Sequence, residues 1–208
     1  MPVELDPVAE WTLLGCWLIF VATWLAGWIY NLLRAPKVER RHLSPIIFVD
    51  AAIVWIVAAL VPQRVWDALT VYSLPLRECG IAVLIAGTGF AVWARITLGR
   101  MWTGIPAVRA GHTLCTTGPF AIVRHPIYTG VTAMLAGTAL IYGFGAWTAP
   151  AVVVLLGLTL KIRVEERLMR ETFGERYDEY RRRVPAIVPV APRGTIKRLL
   201  SDARASLP

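Results

Sequence analysis

The chain has 208 residues, of which 56% are hydrophobic and nine are tryptophan, a composition too apolar for a soluble domain of that length. Its formal net charge of +8 is carried in short blocks between apolar runs, which excludes a continuous nucleic-acid-binding face and marks membrane flanks instead. Cys16, Cys79 and Cys115 are odd in number, widely spaced and without a C-x-x-C or histidine partner, so they make neither a disulfide framework nor a zinc site, and no metal is implied.

In chain order, residues 11–33 are long enough to cross ~30 Å of hydrocarbon at ~1.5 Å per residue. Their acidic flank (Glu4, Asp6, Glu10) lacks the basic start of a signal peptide, so the run reads as a retained first span. A second run, 46–61, begins after Ser44-Pro45, a helix cap followed by a first-turn proline, and ends at Pro62. A third covers 79–98. Two shorter runs, 127–142 and 146–160, are joined by "GFGA" and read as a tight helical hairpin. The expected fold class is therefore an all-α integral membrane protein of about five transmembrane helices, with a cytoplasmic loop and a C-terminal amphipathic helix. Residues 1–98 supply three N-terminal helices, 99–190 the functional core and 191–208 a basic tail, all in one membrane domain.

Loop charge sets the expected orientation, because Lys and Arg collect on the cytoplasmic side of short loops. Loop 34–44 holds Arg34, Lys37, Arg40 and Arg41, loop 99–125 holds Arg100, Arg109 and Arg124 with no acid, and the segment after Leu160 is densely basic. The intervening loop 62–78 balances Arg64 and Arg77 against Asp67 and Glu78. All the basic segments fall on one side, which places the N-terminus outside, the C-terminus in the cytoplasm and the protein in a cell membrane, taken as a bacterial inner membrane. Asp50 and Arg95 lie within or near apolar runs, where an ionisable group points to function, but both stand close to the expected cytoplasmic ends, where snorkelling or helix-end stabilisation is the cheaper reading. "GTGFAV" at Gly87 lacks the third glycine of a dinucleotide fingerprint and sits inside a span, so it reads as helix packing.

Two polar constellations remain. "RMWTGIPAVRAGHTLCTTGPFAIVRHP" is too apolar for a linker and too broken for a helix, so it is expected to fold against the membrane face. Its Gly118-Pro119 forces a turn, Arg124-His125 places two donors at a helix mouth, and Pro126 occupies the first turn. Tyr128 then offers an aromatic face and Gly130 a gap for a ligand to approach backbone. An ordinary interfacial role for Arg124 and His125 is the competing reading. In "KIRVEERLMRETFGERYDEYRRRVPAIVP", Val164, Leu168, Phe173, Tyr177, Tyr180 and Val184 form an apolar stripe at helical spacing. Arg181 to Arg183 suit anionic headgroups, whereas Arg163, Glu165 and Glu166 stand where the helix leaves hydrocarbon and can turn toward a cavity.

"TTGPFAIVRHPIYTG", a hairpin, and then "EERLMRETFGERYDEYRRRVPAIVP" together resemble the isoprenylcysteine carboxyl methyltransferase family with its bacterial and phospholipid methyltransferase relatives, over roughly residues 98–189. Phe120 stands where that family often has Tyr. The resemblance implies S-adenosylmethionine as cofactor, roofed by the C-terminal segment, with a lipophilic or lipid-linked acceptor entering from the bilayer. It implies that Gly118, Pro119, Phe120, His125, Tyr128 and Gly130 form one side of the cofactor site, and that Glu165, Glu166, Tyr177 and Tyr180 close the other.

Methyl transfer from a sulfonium is an in-line displacement that asks the protein mainly to align reactants and exclude water. A carboxylate acceptor needs no base, and Arg163 would then orient it while Glu166 fixes Arg163. An amine or thiol must lose a proton, which makes Glu165 or Glu166 a candidate base. Membrane sterol and ene reductases, which use NADPH, share an R-H-P-x-Y element, although Glu165-Glu166 and Phe173-Gly174 favour the methyltransferase. A non-enzymatic protein docking on anionic lipid is the third possibility.

Overall fold

A computed structural model describes residues 6–41, 52–54, 56–57 and 59–188 of the chain. Helix α1 (Pro7–Arg34) starts where the Asp6 side chain accepts a hydrogen bond from the Ala9 N–H at 2.8 Å, with Pro7 in the first turn, and stops before Pro36. Only 6% of its most apolar stretch is buried within the protein, so its outward side chains, Trp11, Leu18 and Leu25 among them, form a face for lipid. The expected span 46–61 lies largely outside the described residues, as does Asp50; the described residues between 52 and 60 are helical. After a short helix α2 (Gln63–Ala68), helix α3 (Leu74–Leu98) is capped by the Ser73 side chain.

Helix α4 (Pro126–Ile141) packs along α3 through two glycine pairs. A Cβ on Gly80 would fall 2.8 Å from the Gly137 carbonyl oxygen, and one on Gly87 would fall 2.9 Å from that of Gly130. The partners lie seven residues apart on each helix and run in opposite directions, so two antiparallel backbones approach closely over two turns. Gly87 is thus a packing glycine, as "GTGFAV" suggested. Leu84, Met134 and Ile141 fill the seam, Ala9 and Cys16 of α1 join it, and Trp17 Nε1 donates to Thr138 Oγ1 at 3.2 Å.

The "GFGA" connection is a tight turn, with Gly143, Phe144 and Gly145 all at positive φ. It leads into helix α5 (Thr148–Phe173), which runs without interruption from the apolar stretch into the charged one. The amphipathic segment is not one continuous helix beyond it. Gly174 takes φ +54°, a conformation that side chains with a Cβ rarely adopt, and turns the chain into a separate helix α6 (Glu175–Arg183). Among the described residues, three helical segments, Pro7–Arg34, Leu74–Met101 and Gly145–Phe173, are long and apolar enough to cross a membrane; α4, at 16 residues, is shorter.

The all-α expectation misses one element. Strands β1 (Val38–Arg41) and β2 (Ala107–Arg109) pair antiparallel, with a bulge between Val38 and Arg40. These residues come from the two basic loops predicted to share a membrane side, and their pairing holds both loops on one face. Backbone groups at a membrane boundary need internal partners, and a two-stranded ladder provides them. Arg95 also differs from expectation. Its Nη1 bonds the Gly99 carbonyl at 3.2 Å, a helix-end contact, but it does not snorkel: it is 3% exposed and turned inward between Gly27 and the Trp102 ring, 4.3 Å from the ring centroid.

Candidate functional site

A cavity of about 420 Å³ lies where loop 101–115, the turn before α4, the charged half of α5 and helix α6 meet. Its volume falls within the ~300–1,000 Å³ range of small-molecule sites. Its lining includes the apolar Trp24, Leu98, Met101 and Trp102, with the Trp24 and Trp102 ring centroids 6.3 Å apart. It also includes Phe120, His125, Tyr128, Glu165, Tyr177 and Tyr180.

Local sequence explains how these side chains arrive. Gly118, at φ +59°, opens a tight turn over Gly118–Ala121 whose Pro119 and Phe120 are buried. His125 is the cap residue of α4 with Pro126 immediately inside the helix. Its ring stacks on Tyr128, centroids 5.7 Å apart and planes 11° apart. His125 Nδ1 lies 3.6 Å from Glu165 Oε2, and Nε2 lies 3.4 Å from Glu166 Oε1 without forming a hydrogen bond. Burial lowers the affinity of this imidazole for a proton, but Glu165 and Glu166 outweigh it and raise the pKa above the usual histidine value. The Tyr128 hydroxyl donates to Glu165 Oε1.

Arg124 is committed to structure. Its Nε and Nη2 donate to Glu166 Oε1 at 3.0 and 2.5 Å, and Nη1 donates to the carbonyls of Arg181 and Val184. The backbone beside it continues the attachment: Arg124 N–H bonds Pro185 O at 2.8 Å, His125 N–H bonds Ala186 O at 2.9 Å, and Thr129 Oγ1 donates to Ile187 O at 2.7 Å. Residues 184–187 therefore lie as a strap across the mouth of α4. The Tyr180 hydroxyl donates to Phe120 O at 2.6 Å, bringing α6 onto the Gly118 turn. Burial pushes both the Tyr177 and Tyr180 hydroxyls well above the usual tyrosine pKa, so they stay protonated.

Of the expected residues, Phe120, His125, Tyr128, Glu165, Tyr177 and Tyr180 meet at the cavity; Gly118 and Pro119 shape it from behind. Gly130 does not border it. A Cβ there would sit 2.7 Å from Ala91 Cβ and 2.8 Å from the Gly87 carbonyl, so this glycine admits α3 rather than a ligand. The expected Arg163–Glu166 pair is absent: Glu166 is taken by Arg124 and Arg181, and Arg163 is exposed and outside the wall. Positions two apart on a helix point about 200° apart, so a face presenting Lys161 and Glu165 to the cavity turns Arg163 away.

Lys161, Trp24, Trp102, His112 and Cys115 also line the cavity and were not expected there. Only Lys161 carried a legible signal, standing four residues before Glu165 on one helical face. Burial, and then neighbouring Arg109, lower the His112 pKa and keep that imidazole neutral.

Residues 76–176 match the phospholipid methyltransferase family. The chain is 35% identical over 117 residues to protein-S-isoprenylcysteine O-methyltransferase B of Arabidopsis thaliana, covering 55% of this chain and 59% of that protein. It is 34% identical over 132 residues to the cobalt-zinc-cadmium resistance protein CzcN of Cupriavidus metallidurans, covering 60% and 53%. The chain thus spans little more than half the length of these relatives. Among solved structures, a eukaryotic intramembrane Ras methyltransferase, an isoprenylcysteine carboxyl methyltransferase, aligns with a TM-score of 0.51 and 21% identity over 71% of this chain and 52% of that one, a likeness of fold.

Proposed function

We propose that the chain belongs with the isoprenylcysteine carboxyl methyltransferases and their phospholipid methyltransferase relatives, and that it is an S-adenosylmethionine-dependent membrane methyltransferase acting on a lipophilic acceptor. The observation that carries this reading is one cavity lined both by aromatic rings with a carboxylate and by apolar side chains, Trp24 of α1 among them. The aromatic and carboxylate group fits the cofactor. Ring faces of Phe120, Tyr128 and Tyr177 with the Glu165 carboxylate suit a sulfonium cation, and the buried His125 Nε2, without a hydrogen bond of its own, suits a carboxylate or hydroxyl. When bound, S-adenosylmethionine supplies a methyl group activated by positively charged sulfur.

The chain's own residues then align and exclude water. Tyr128 is fixed by its bond to Glu165 and by stacking on His125, so the wall is held before anything binds. Tyr180 closes the wall against Phe120, and the strap 184–187 holds the mouth of α4 in place behind His125. Trp24, Leu98, Met101 and Trp102 give the acceptor an apolar approach from the bilayer, and Glu165 is the carboxylate on the wall available as a base for a proton-bearing acceptor. The reading includes a cytoplasmic site and C-terminus. Single-turnover transfer from labelled S-adenosylmethionine to extracted membrane lipids, prenylcysteine analogues and hydrophobic thiols tests it. A labelled apolar product is expected, and no transfer to any class would refute the activity.

A further inference from the structure

Helix α5 turns one face to the cavity, through Lys161 and Glu165, and the opposite face away from the protein. At about 100° per residue, Val152, Leu156, Leu160, Arg163, Arg167 and Arg170 fall within an arc of about 80° centred on the side away from Glu165. The three apolar side chains are 49%, 61% and 47% exposed, and the three arginines are exposed as well. An outward apolar stripe thus runs directly into an outward basic one.

The arginines differ in how they are engaged. Arg170 pairs with Asp178 at 3.2 Å. Arg163 and Arg167 have no ion pair or hydrogen bond among the described residues, and Glu171, the acid four residues beyond Arg167, has a contact of its own. The basic run of α6 is more committed: Arg181 reaches Glu166 Oε2 at 3.3 Å and Arg183 bonds Glu179. Residues one turn apart on a helix stand about 5–6 Å apart at Cβ, close enough for two guanidiniums to grip one phosphate.

Depth names the ligand. The segment Gly145–Phe173 is long and apolar enough to cross a membrane, and Trp147, 38% exposed, stands at its far end. At ~1.5 Å per residue Arg163 lies ~24 Å and Arg167 ~30 Å along the helix from Trp147, which brings the pair to headgroup level as ~30 Å of hydrocarbon ends. A free anion would touch the arginines alone, whereas a phospholipid would also lay its chains on the apolar stripe beneath them. We propose that this outward face of α5 binds an anionic phospholipid, with its phosphate between Arg163 and Arg167 and its acyl chains against Leu156 and Leu160. A net negative headgroup fits because a zwitterionic one carries its own cation, which competes with the arginines for the phosphate. The site lies opposite the cavity and does not depend on the methyl-transfer reading.

Native mass spectrometry of the full chain released from detergent micelles tests it, with phosphatidylglycerol, phosphatidylcholine of the same acyl chains and inorganic phosphate as probes. Wild type is expected to retain phosphatidylglycerol over phosphatidylcholine by about tenfold or more, the scale of two cations at one headgroup. Arg163→Gln/Arg167→Gln should abolish that preference, and Arg163→Lys/Arg167→Lys should keep part of it. Arg182→Gln/Arg183→Gln on α6 should keep all of it, with melting temperatures checking that each variant folds. Inorganic phosphate should not displace the lipid at equal concentration. Equal retention of the two lipids overturns the inference, as does a preference that survives Arg163→Gln/Arg167→Gln. Loss of the preference in the α6 variant alone would move the site to α6 and overturn it too, and displacement by phosphate would refute a lipid as the occupant.

Discussion

Arg124 and Glu166, 42 residues apart in sequence, meet with Nε and Nη2 of the guanidinium at 3.0 and 2.5 Å from one carboxylate oxygen. Their side chains are 9% and 14% exposed, and the same guanidinium holds the carbonyls of Arg181 and Val184. The pair is therefore a rivet that fastens α5 and the C-terminal strap to the entrance of α4.

Removing one partner leaves a largely buried charge unmatched, which costs about 3 kcal/mol or more. Arg124→Ala and Glu166→Gln should each lower the melting temperature by several degrees and open residues 184–187 to protease, and the double variant should lose less than the sum of the two. Additive losses, or a strap that stays protected, would show that the rivet is not what holds it. Glu166→Gln is expected to act through stability and not through a pH-dependent loss of turnover.

Gly130→Ala asks whether that glycine serves a ligand or a helix. The added Cβ would meet backbone and Ala91 Cβ at under 3 Å. Forcing the helices apart is expected to cost about 1–3 kcal/mol in melting experiments, while S-adenosylhomocysteine affinity per folded molecule stays at the wild-type value. A stable variant with lost affinity would return Gly130 to the cavity.

The two cavity histidines titrate in opposite senses. His125 has a raised pKa in the folded protein, so its contribution to stability is present below the unfolded value of about 6.5 and is lost as pH rises through the folded value. His112 has a lowered pKa, so its contribution is present above about 6.5 and is lost as pH falls through the folded value. Melting temperature against pH should show His125→Gln flattening the alkaline limb and His112→Gln flattening the acid limb. The reverse assignment would contradict the pairing of His125 with Glu165 and Glu166.

Orientation is testable at the cysteines. Cys79 is exposed near the start of α3, and Cys115 lies in the loop proposed to be cytoplasmic. In sealed cells an impermeant maleimide should label a variant retaining only Cys79, and label one retaining only Cys115 after lysis alone. External labelling of Cys115 would invert the proposed topology.

What the sequence disclosed follows from range. The helix mouth at His125-Pro126, the hairpin turn at Gly143 to Gly145 and the packing role of Gly87 are local consequences of proline, of positive φ and of small side chains, and each was legible. The partner of Glu166 is hidden in the sequence because Arg163 stands at i,i+3, whereas the fold supplies Arg124 from 42 residues away. Gly130 hides its role in the same way, since its reason to be glycine lies on another helix. The β1–β2 ladder joins loops separated by a span and leaves no periodic signature over three or four residues. Lys161 could have been found by asking which α5 side chains share Glu165's face.

Calorimetric titration of the detergent-solubilised protein with S-adenosylhomocysteine and, in parallel, NADPH addresses the cavity directly. Saturable binding of S-adenosylhomocysteine at one site per chain is expected, weakened at least tenfold, or about 1.4 kcal/mol, in His125→Ala and in Tyr177→Ala, with no NADPH binding. Binding of NADPH in its place, or S-adenosylhomocysteine binding that both substitutions leave intact, would contradict the assignment of this cavity to a methyl donor.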